Sequence, residues 1–112
     1  MSKPLNMQIL EQARAKVANP KTWCKRHTAR MENGRPAAGR HDLVHAVKFC
    51  GFGAIYKTAY DHLGDIDLAS AKTYELERMM LRGAGIAAIN DGKNGRKNVL
   101  ALFDEHLAKM KT

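Results

Sequence analysis

The segment HDLVHAVKFCGFGAIYKTAY, residues 41–60, is the longest apolar-rich run in the chain. Its apolar residues recur at helical spacing over a wide arc, which predicts a central helix. Asp42 is a suitable N-cap for this helix, and Gly64 is a suitable stop. Gly51 and Gly53 each cost roughly 1 kcal/mol inside a helix. We therefore expect either a close backbone approach or a local break of the helix at these glycines.

Three further segments show helical periodicity, at residues 6–18, 70–82 and 97–109. Pro20 ends the first, because proline disfavours helical backbone at the preceding residue and has no N–H to donate. Gly83 is expected to end the second. The third has the most regular amphipathic pattern of the chain. It follows a short apolar segment, residues 86–89, and the turn signature Asn90-Asp91-Gly92.

Helical periodicity is lost between residues 22 and 38, where Asn33-Gly34 favours a tight turn. A short hairpin fits this segment, with residues 23–31 as its first arm and a second arm interrupted by Pro36. Irregular chain held down by Trp23 fits equally well. The predicted fold is mainly α, a single domain over residues 1–112 with about four helices and a short β-hairpin or irregular arm between helices 1 and 2.

The length and composition restrict the class of protein. A chain of 112 residues has room for one core. The first residues lack the apolar region of a secretory signal, and no run reaches the roughly 18 apolar residues of a membrane span. Two cysteines are too few for a disulfide framework. We expect a soluble cytoplasmic protein with free thiols and no membrane partner.

The net charge of +8 is unevenly distributed. Residues 1–57 hold eleven Lys or Arg against three acids, whereas residues 58–112 hold eight of each. A basic field on one part of a protein favours nucleic acid or an acidic protein surface as partner. The same charge can also serve only solubility.

The chain carries a set of short motifs in a particular order. These are Trp23-Cys24, Asn33-Gly34-Arg35-Pro36, Phe49-Cys50 with Gly53-Ala54, Asn90-Asp91, and VLALFD at residues 99–104. In this order they resemble a family of small bacterial and phage proteins classed as a domain of unknown function. The resemblance spans nearly the whole chain. It implies a shared fold and a cytoplasmic setting, and it assigns no mechanism.

The candidate binding segment is residues 23–40, joined by cations of a later loop. The candidate residues are Trp23, Lys25, Arg26, His27, Arg30, Arg35, Arg40, Lys93, Arg96 and Lys97. Lysine and arginine can neutralise phosphates, and the planar Trp23 and His27 can stack on bases. Trp23 can instead anchor the arm to the core. Because the chain has no helix-turn-helix, RRM or KH signature, binding to nucleic acid is expected to be weakly sequence-specific.

A metal site is an alternative role for the polar residues of this region. Its candidate ligands are Cys24, His27, His41, His45 and Cys50. Zinc accepts sulfur and nitrogen ligands, and histidines four apart share one helix face. The competing interpretation is that both cysteines are small buried hydrophobes and the histidines form a polar stripe. We favour the latter and expect no metal and no cofactor.

Cys24 is also a candidate nucleophile. Lys25 and Arg26 would lower its thiol pKa, a histidine such as His27 would act as base, and Asn90 or Asp91 would orient that base. Packing of the thiol and an ordinary turn explain the same residues. We therefore expect a non-enzymatic binding protein. The main alternative is a phage-type protein interaction module, or an inhibitor of a host machine, which would use the same basic surface.

Overall fold

The computed structural model describes residues 3–81 and 85–111. These residues form six helices: α1 (Leu5–Ala18), α2 (Arg40–Leu43), α3 (Gly51–Leu63), α4 (Ile66–Met80), α5 (Ile86–Asp91) and α6 (Gly95–Met110). Two short strands, β1 (Ala29–Arg30) and β2 (Lys48–Phe49), pair antiparallel with Ala29 opposite Phe49. The expectation of a mainly helical fold is confirmed, while the described chain has six helices rather than about four.

The core lies where α1, α3, α4 and α6 pack together. Its largest fully buried side chains are Phe103, Ile9, Leu10, Ile55, Leu76 and Ile86. Burial of such apolar surface is the main stabilising contribution, roughly 25 cal/mol per Å² removed from water. None of the helices in the described residues has the length and apolar character needed to cross a bilayer.

Helix α1 confirms the prediction for residues 6–18 within one residue. Its buried face consists of the apolar positions Met7, Ile9, Leu10, Ala13 and Val17. The backbone leaves the helical region at Asn19, where φ is −89° and ψ is 114°. This is the conformation that the following Pro20 imposes on its predecessor.

The prediction of a central helix over residues 41–60 is wrong for the part before Gly51 and is confirmed from Gly51 onwards. The segment instead contains the four-residue α2, strand β2 and the first part of α3. Val47, one of the apolar residues of this segment, is 42% exposed. Asp42 is not the N-cap of α3, because that position belongs to Cys50, whose sulfur accepts a hydrogen bond from Gly53 N at 3.4 Å.

Gly51 and Gly53 mark both a helix start and a close approach. A Cβ at Gly51 would lie 2.6 Å from Ile86 Cγ2 and 2.8 Å from Val99 Cγ1. A Cβ at Gly53 would overlap the backbone carbonyl oxygen of Thr28. The absence of a side chain at Gly51 lets α3 pack against α5 and α6, and its absence at Gly53 lets α3 pack against the residue that precedes β1. At the other end of α3, Gly64 adopts φ 70° and its N–H donates to Tyr60 O, as the predicted stop requires.

Helix α4 begins earlier than predicted. It starts at Ile66 because the Asp65 carboxylate caps it, accepting from Leu68 N at 2.9 Å. Tyr74 and Met79, two apolar positions of this helix, are each 50% exposed. The predicted end of this helix at Arg82 and Gly83 lies outside the described residues.

The last two helices each extend beyond the segment that the sequence predicted. The short apolar segment of residues 86–89 is the start of α5, which ends at Asp91. Helix α6 begins at Gly95, two residues before the predicted start at residue 97. Its buried face contains Val99, Phe103 and Leu107, as the periodicity indicated.

The arm, residues 22–38, contains the predicted turn but not the predicted sheet partner. Gly34 has φ 89°, its N–H donates to Met31 O at 2.9 Å, and an isolated bridge joins Arg30 to Pro36. The regular partner of β1, however, is β2, which follows α2. The arm is thus held by the Arg30–Pro36 bridge within it and by the pairing of β1 with β2, the strand that precedes α3.

Candidate functional site

Asn90 joins the arm to the core. Its side chain is 0% exposed, and its Oδ1 accepts from Trp23 Nε1 at 2.7 Å and from Gly51 N at 3.0 Å. Its Nδ2 donates to Cys24 O at 3.0 Å. A buried amide with these partners fixes three distant segments relative to one another. Of the two roles considered for Trp23, its indole N–H therefore serves the anchoring one.

Asp91 holds the next part of the arm. Its Oδ1 accepts from Arg26 N at 2.7 Å and from Asn90 Nδ2 at 3.3 Å. Arg26 adopts φ 74°, in the left-handed region that residues with a Cβ rarely occupy. The contact with Asp91 helps to keep this backbone conformation. As a result, Lys25, Arg26 and His27 lie on an exposed turn beside the end of α5.

The loop between α5 and α6 brings its own cations to the same junction. Lys93 lies in this loop and Lys97 in the first turn of α6, and both are exposed. Gly95 lies so close to the Asn90 carbonyl oxygen that a Cβ there would overlap it. The start of α6 is thereby fixed against the residue that anchors the arm. Five exposed side chains, Lys25, Arg26, His27, Lys93 and Lys97, form what we call the two-loop surface.

The cations of the two-loop surface are not neutralised within the described part of the chain. There, the side chains of Lys25, Arg26, Lys93 and Lys97 make neither an ion pair nor a hydrogen bond. The nearby acid is Asp91, whose Oδ1 is engaged by Arg26 N and Asn90. Four exposed cations on the two segments that meet at this junction, with one acid beside them, favour anions.

Arg96 has a different role from its neighbours. It is half-buried, and its Nη1 donates to Ala18 O at 2.7 Å, at the C-terminus of α1. The last carbonyls of a helix have no partners within the helix and attract cations. Arg96 therefore stabilises α1 and is not part of the two-loop surface.

The remaining candidate arginines are engaged within the chain. Arg30 Nη1 donates to Gly34 O at 2.9 Å, inside the turn of the arm. Arg35 pairs with Asp42 at 2.9 Å, and Arg40 pairs with Asp67 at 3.1 Å. The Arg35 guanidinium, with the Ala38 N–H, holds the pKa of Asp42 below its usual range. These arginines brace the arm and α2 and do not converge on the two-loop surface.

Cys24 has surroundings unlike those of an activated thiol. Burial raises its pKa to about 11, although Lys25 and Arg26 follow it in the chain. Its thiol donates to the backbone carbonyl of His27 at 3.4 Å, and this contact does not involve the imidazole. Nucleophilic cysteines need a lowered pKa, because the thiolate is the reacting form. Burial likewise raises the pKa of Cys50.

The residues proposed as zinc ligands are not gathered into one cluster. Within residues 3–81 and 85–111, no group of three or more His, Cys, Asp or Glu side chains is placed to hold a metal ion. Both cysteines are buried, whereas His27, His41 and His45 are exposed. This separation between buried sulfur and exposed nitrogen explains why the spacing in the sequence does not become a coordination site.

Two structural roles were not found from the sequence. Asn90 and Asp91 were interpreted as a turn or as orienting groups, and their position in a turn signature concealed their long-range hydrogen bonds. Phe52, Tyr56 and Tyr74 line a cavity that the sequence did not indicate. Helical spacing of aromatic residues does not separate a core face from a cavity wall, so no sequence signal distinguished them.

These features describe a basic, mainly helical chain with a small two-stranded sheet. A family of unknown function (DUF6197) matches residues 1–108, and the chain belongs to that family. The expectation of an uncharacterised domain family is thereby confirmed. No curated protein and no solved structure matches the chain.

Proposed function

We propose that this protein is a non-enzymatic nucleic-acid-binding protein that contacts the phosphate backbone through the two-loop surface. Its location under this proposal is the cytoplasm, where such a partner is available. Lys25, Arg26, Lys93 and Lys97 neutralise phosphates, and the exposed His27 adds a planar group for stacking. Trp23 holds the arm in place.

The observation that carries the proposal is the joining of two cationic loops that are distant in sequence. Trp23 and Asn90 are 67 positions apart and are hydrogen-bonded at 2.7 Å. Arg26 and Asp91 are connected in the same way at 2.7 Å. The cations on both sides of this junction are exposed, so their charge is directed at solvent and at any anion there.

Backbone charge, more than base recognition, governs this mode of binding. Lysine and arginine contacts to phosphate set affinity and register but carry little sequence information. Affinity should therefore depend strongly on salt, because binding releases counterions from the nucleic acid. With four phosphates neutralised on duplex DNA, log K is expected to fall against log salt with a slope of about −3.6.

The test is fluorescence anisotropy with labelled single- and double-stranded oligonucleotides over a series of salt concentrations. Lys25→Gln/Lys93→Gln removes two charges from the two-loop surface and should reduce the duplex slope to about −1.8. Arg35→Gln/Arg40→Gln removes the same charge from arginines paired with Asp42 and Asp67. In this matched control the slope of log K against log salt should equal that of the parent protein.

Two results would contradict the proposal. Equal losses in both double variants would mean that only net charge matters. Failure of the parent protein to bind any oligonucleotide at low salt would exclude nucleic acid as partner. An acidic peptide tested in the same format would then address the alternative, a protein interaction module that uses the same cations.

A further inference from the structure

A cavity of about 210 Å³ opens on another part of the molecule, between the arm and helices α2, α3 and α4. One side is formed by the aromatic residues Phe52 and Tyr74, whose ring centroids are 5.3 Å apart with planes inclined at 60°. Leu43 and Tyr56, both buried, also line it. Edge-to-face rings of this kind leave aromatic surface against which a third ring can pack.

Hydroxyl groups surround this aromatic wall. Thr28, Ser70 and Tyr74 line the cavity, and in the part of the chain that the structure describes their side chains make no hydrogen bond. The Tyr56 hydroxyl donates to Ile66 O at 3.1 Å, and its oxygen lies near the Arg40 guanidinium. Apolar walls with a few polar groups are typical of small-molecule sites.

Arg40 supplies a positive charge at the same cavity. Its partner Asp67 lies 3.1 Å away, and the Asp67 side chain is 85% exposed. Water screens such an exposed pair, so a ligand carboxylate can replace Asp67 at little cost. The guanidinium also lies near the Tyr56 hydroxyl, where its charge opposes the rise in the Tyr56 pKa that burial causes. Planar guanidinium groups suit two-point recognition of a carboxylate.

We propose that this cavity binds a single-ring aromatic carboxylate, with the ring against Phe52 and Tyr74 and the carboxylate on Arg40. The size of the cavity selects this class. A dry cavity of roughly 150 Å³ holds benzene, whereas drug-sized ligands occupy roughly 300–1,000 Å³. The 210 Å³ present here suits one ring with one acidic substituent and is too small for a nucleotide. The proposal uses none of the two-loop surface and stands independently of nucleic-acid binding.

The test is titration of the ¹⁵N-labelled protein with benzoate, followed by amide chemical shifts. We expect shifts at Thr28, Gly39 and Ser70, which line the cavity, and weaker binding of both benzyl alcohol and acetate. Arg40→Gln should weaken benzoate binding about tenfold, as expected when a charge-assisted hydrogen bond is lost. Arg78→Gln is the matched control, because Arg78 is an exposed arginine of α4 that does not line this cavity. It should bind like the parent.

Three outcomes would overturn the proposal. They are shifts elsewhere than at the cavity, acetate binding as tightly as benzoate, and equal affinity in the Arg40→Gln and Arg78→Gln variants. Ser70→Leu gives a second check, because its larger side chain occupies the cavity and should abolish the benzoate shifts. The decision does not depend on that variant folding, since Arg40 is exposed and its substitution leaves the core intact.

Discussion

The two halves of the arm carry similar charge but use it differently. In the first half, Lys25 and Arg26 are held at the Asn90 junction by backbone contacts, and their side chains remain exposed. In the second half, Arg30 contacts a carbonyl and Arg35 a carboxylate of the chain itself, and Arg40, just beyond the arm, pairs with Asp67. A basic side chain of the arm thus stays unpaired only where the fold places no acceptor beside it. Substitutions in each half and at the contacts that hold it test this difference.

The largest effect is expected at the junction that holds the first half. Asn90→Ala leaves Trp23 Nε1–H, Gly51 N–H and Cys24 C=O without their partner. Unsatisfied buried groups cost roughly 1–3 kcal/mol each, and partial access of water reduces the sum, so we expect a loss of about 3 kcal/mol. Urea unfolding followed by Trp23 fluorescence measures it.

The matched control for this change is Asn98→Ala. Asn98 is exposed, and its Nδ2 donates to Lys93 O at 3.2 Å. Its loss is expected to change the free energy of unfolding by less than about 0.5 kcal/mol. Equal stability of the two variants would show that Asn90 does not hold the arm.

A smaller loss is expected where β1 meets α3. In Gly53→Ala the new methyl group meets the Thr28 carbonyl oxygen, which is backbone and cannot rotate away. Overpacking of this kind costs roughly 1–3 kcal/mol. Gly39→Ala is the control, because a Cβ at Gly39 has nothing within 4 Å. A Gly53→Ala protein as stable as Gly39→Ala in thermal unfolding would contradict the close approach.

Arg26→Gly separates charge from backbone conformation in the first half. Glycine relieves the left-handed φ of 74°, so we expect the variant to be more stable by roughly 0.5–1 kcal/mol. The same change removes one phosphate contact and should make the salt slope shallower by about 0.9. Lys25→Gly, at a residue without positive φ, should bind equally poorly but be less stable. Chemical unfolding and anisotropy, measured on both variants, decide whether the two effects separate.

The smallest effect concerns the second half and depends on pH. Arg35 lowers the pKa of Asp42 in the folded state, so Asp42 contributes stability above its unfolded pKa and loses it as pH falls through the folded pKa. Asp42→Asn should therefore be less stable than the parent at neutral pH and equally stable in acid. Thermal unfolding from pH 7 down to pH 2 measures the difference. A difference that persists at the lowest pH would exclude the ion pair as its cause.

Predictions from the sequence succeeded where the cause is local. The end of α1 before Pro20, the cap at Gly64 and the turn at Gly34 each depend on residues within a few positions. The central segment failed because its helical period competes with pairing to the arm. Thr22, Thr28 and Arg30 make backbone hydrogen bonds to residues 47–50, and these bonds hold that chain out of a helix.

The candidate site divides in the same way. The sequence by itself determined the excess positive charge of residues 1–57, the apolar faces of α1 and α6, and the family to which the chain belongs. Only the tertiary structure decided which cations remain exposed and that the loops of Arg26 and Asp91 meet. The physical reason is range, because periodicity and turn chemistry act over a few residues. The Trp23–Asn90 hydrogen bond, in contrast, joins residues 67 positions apart and forms only when the core has assembled.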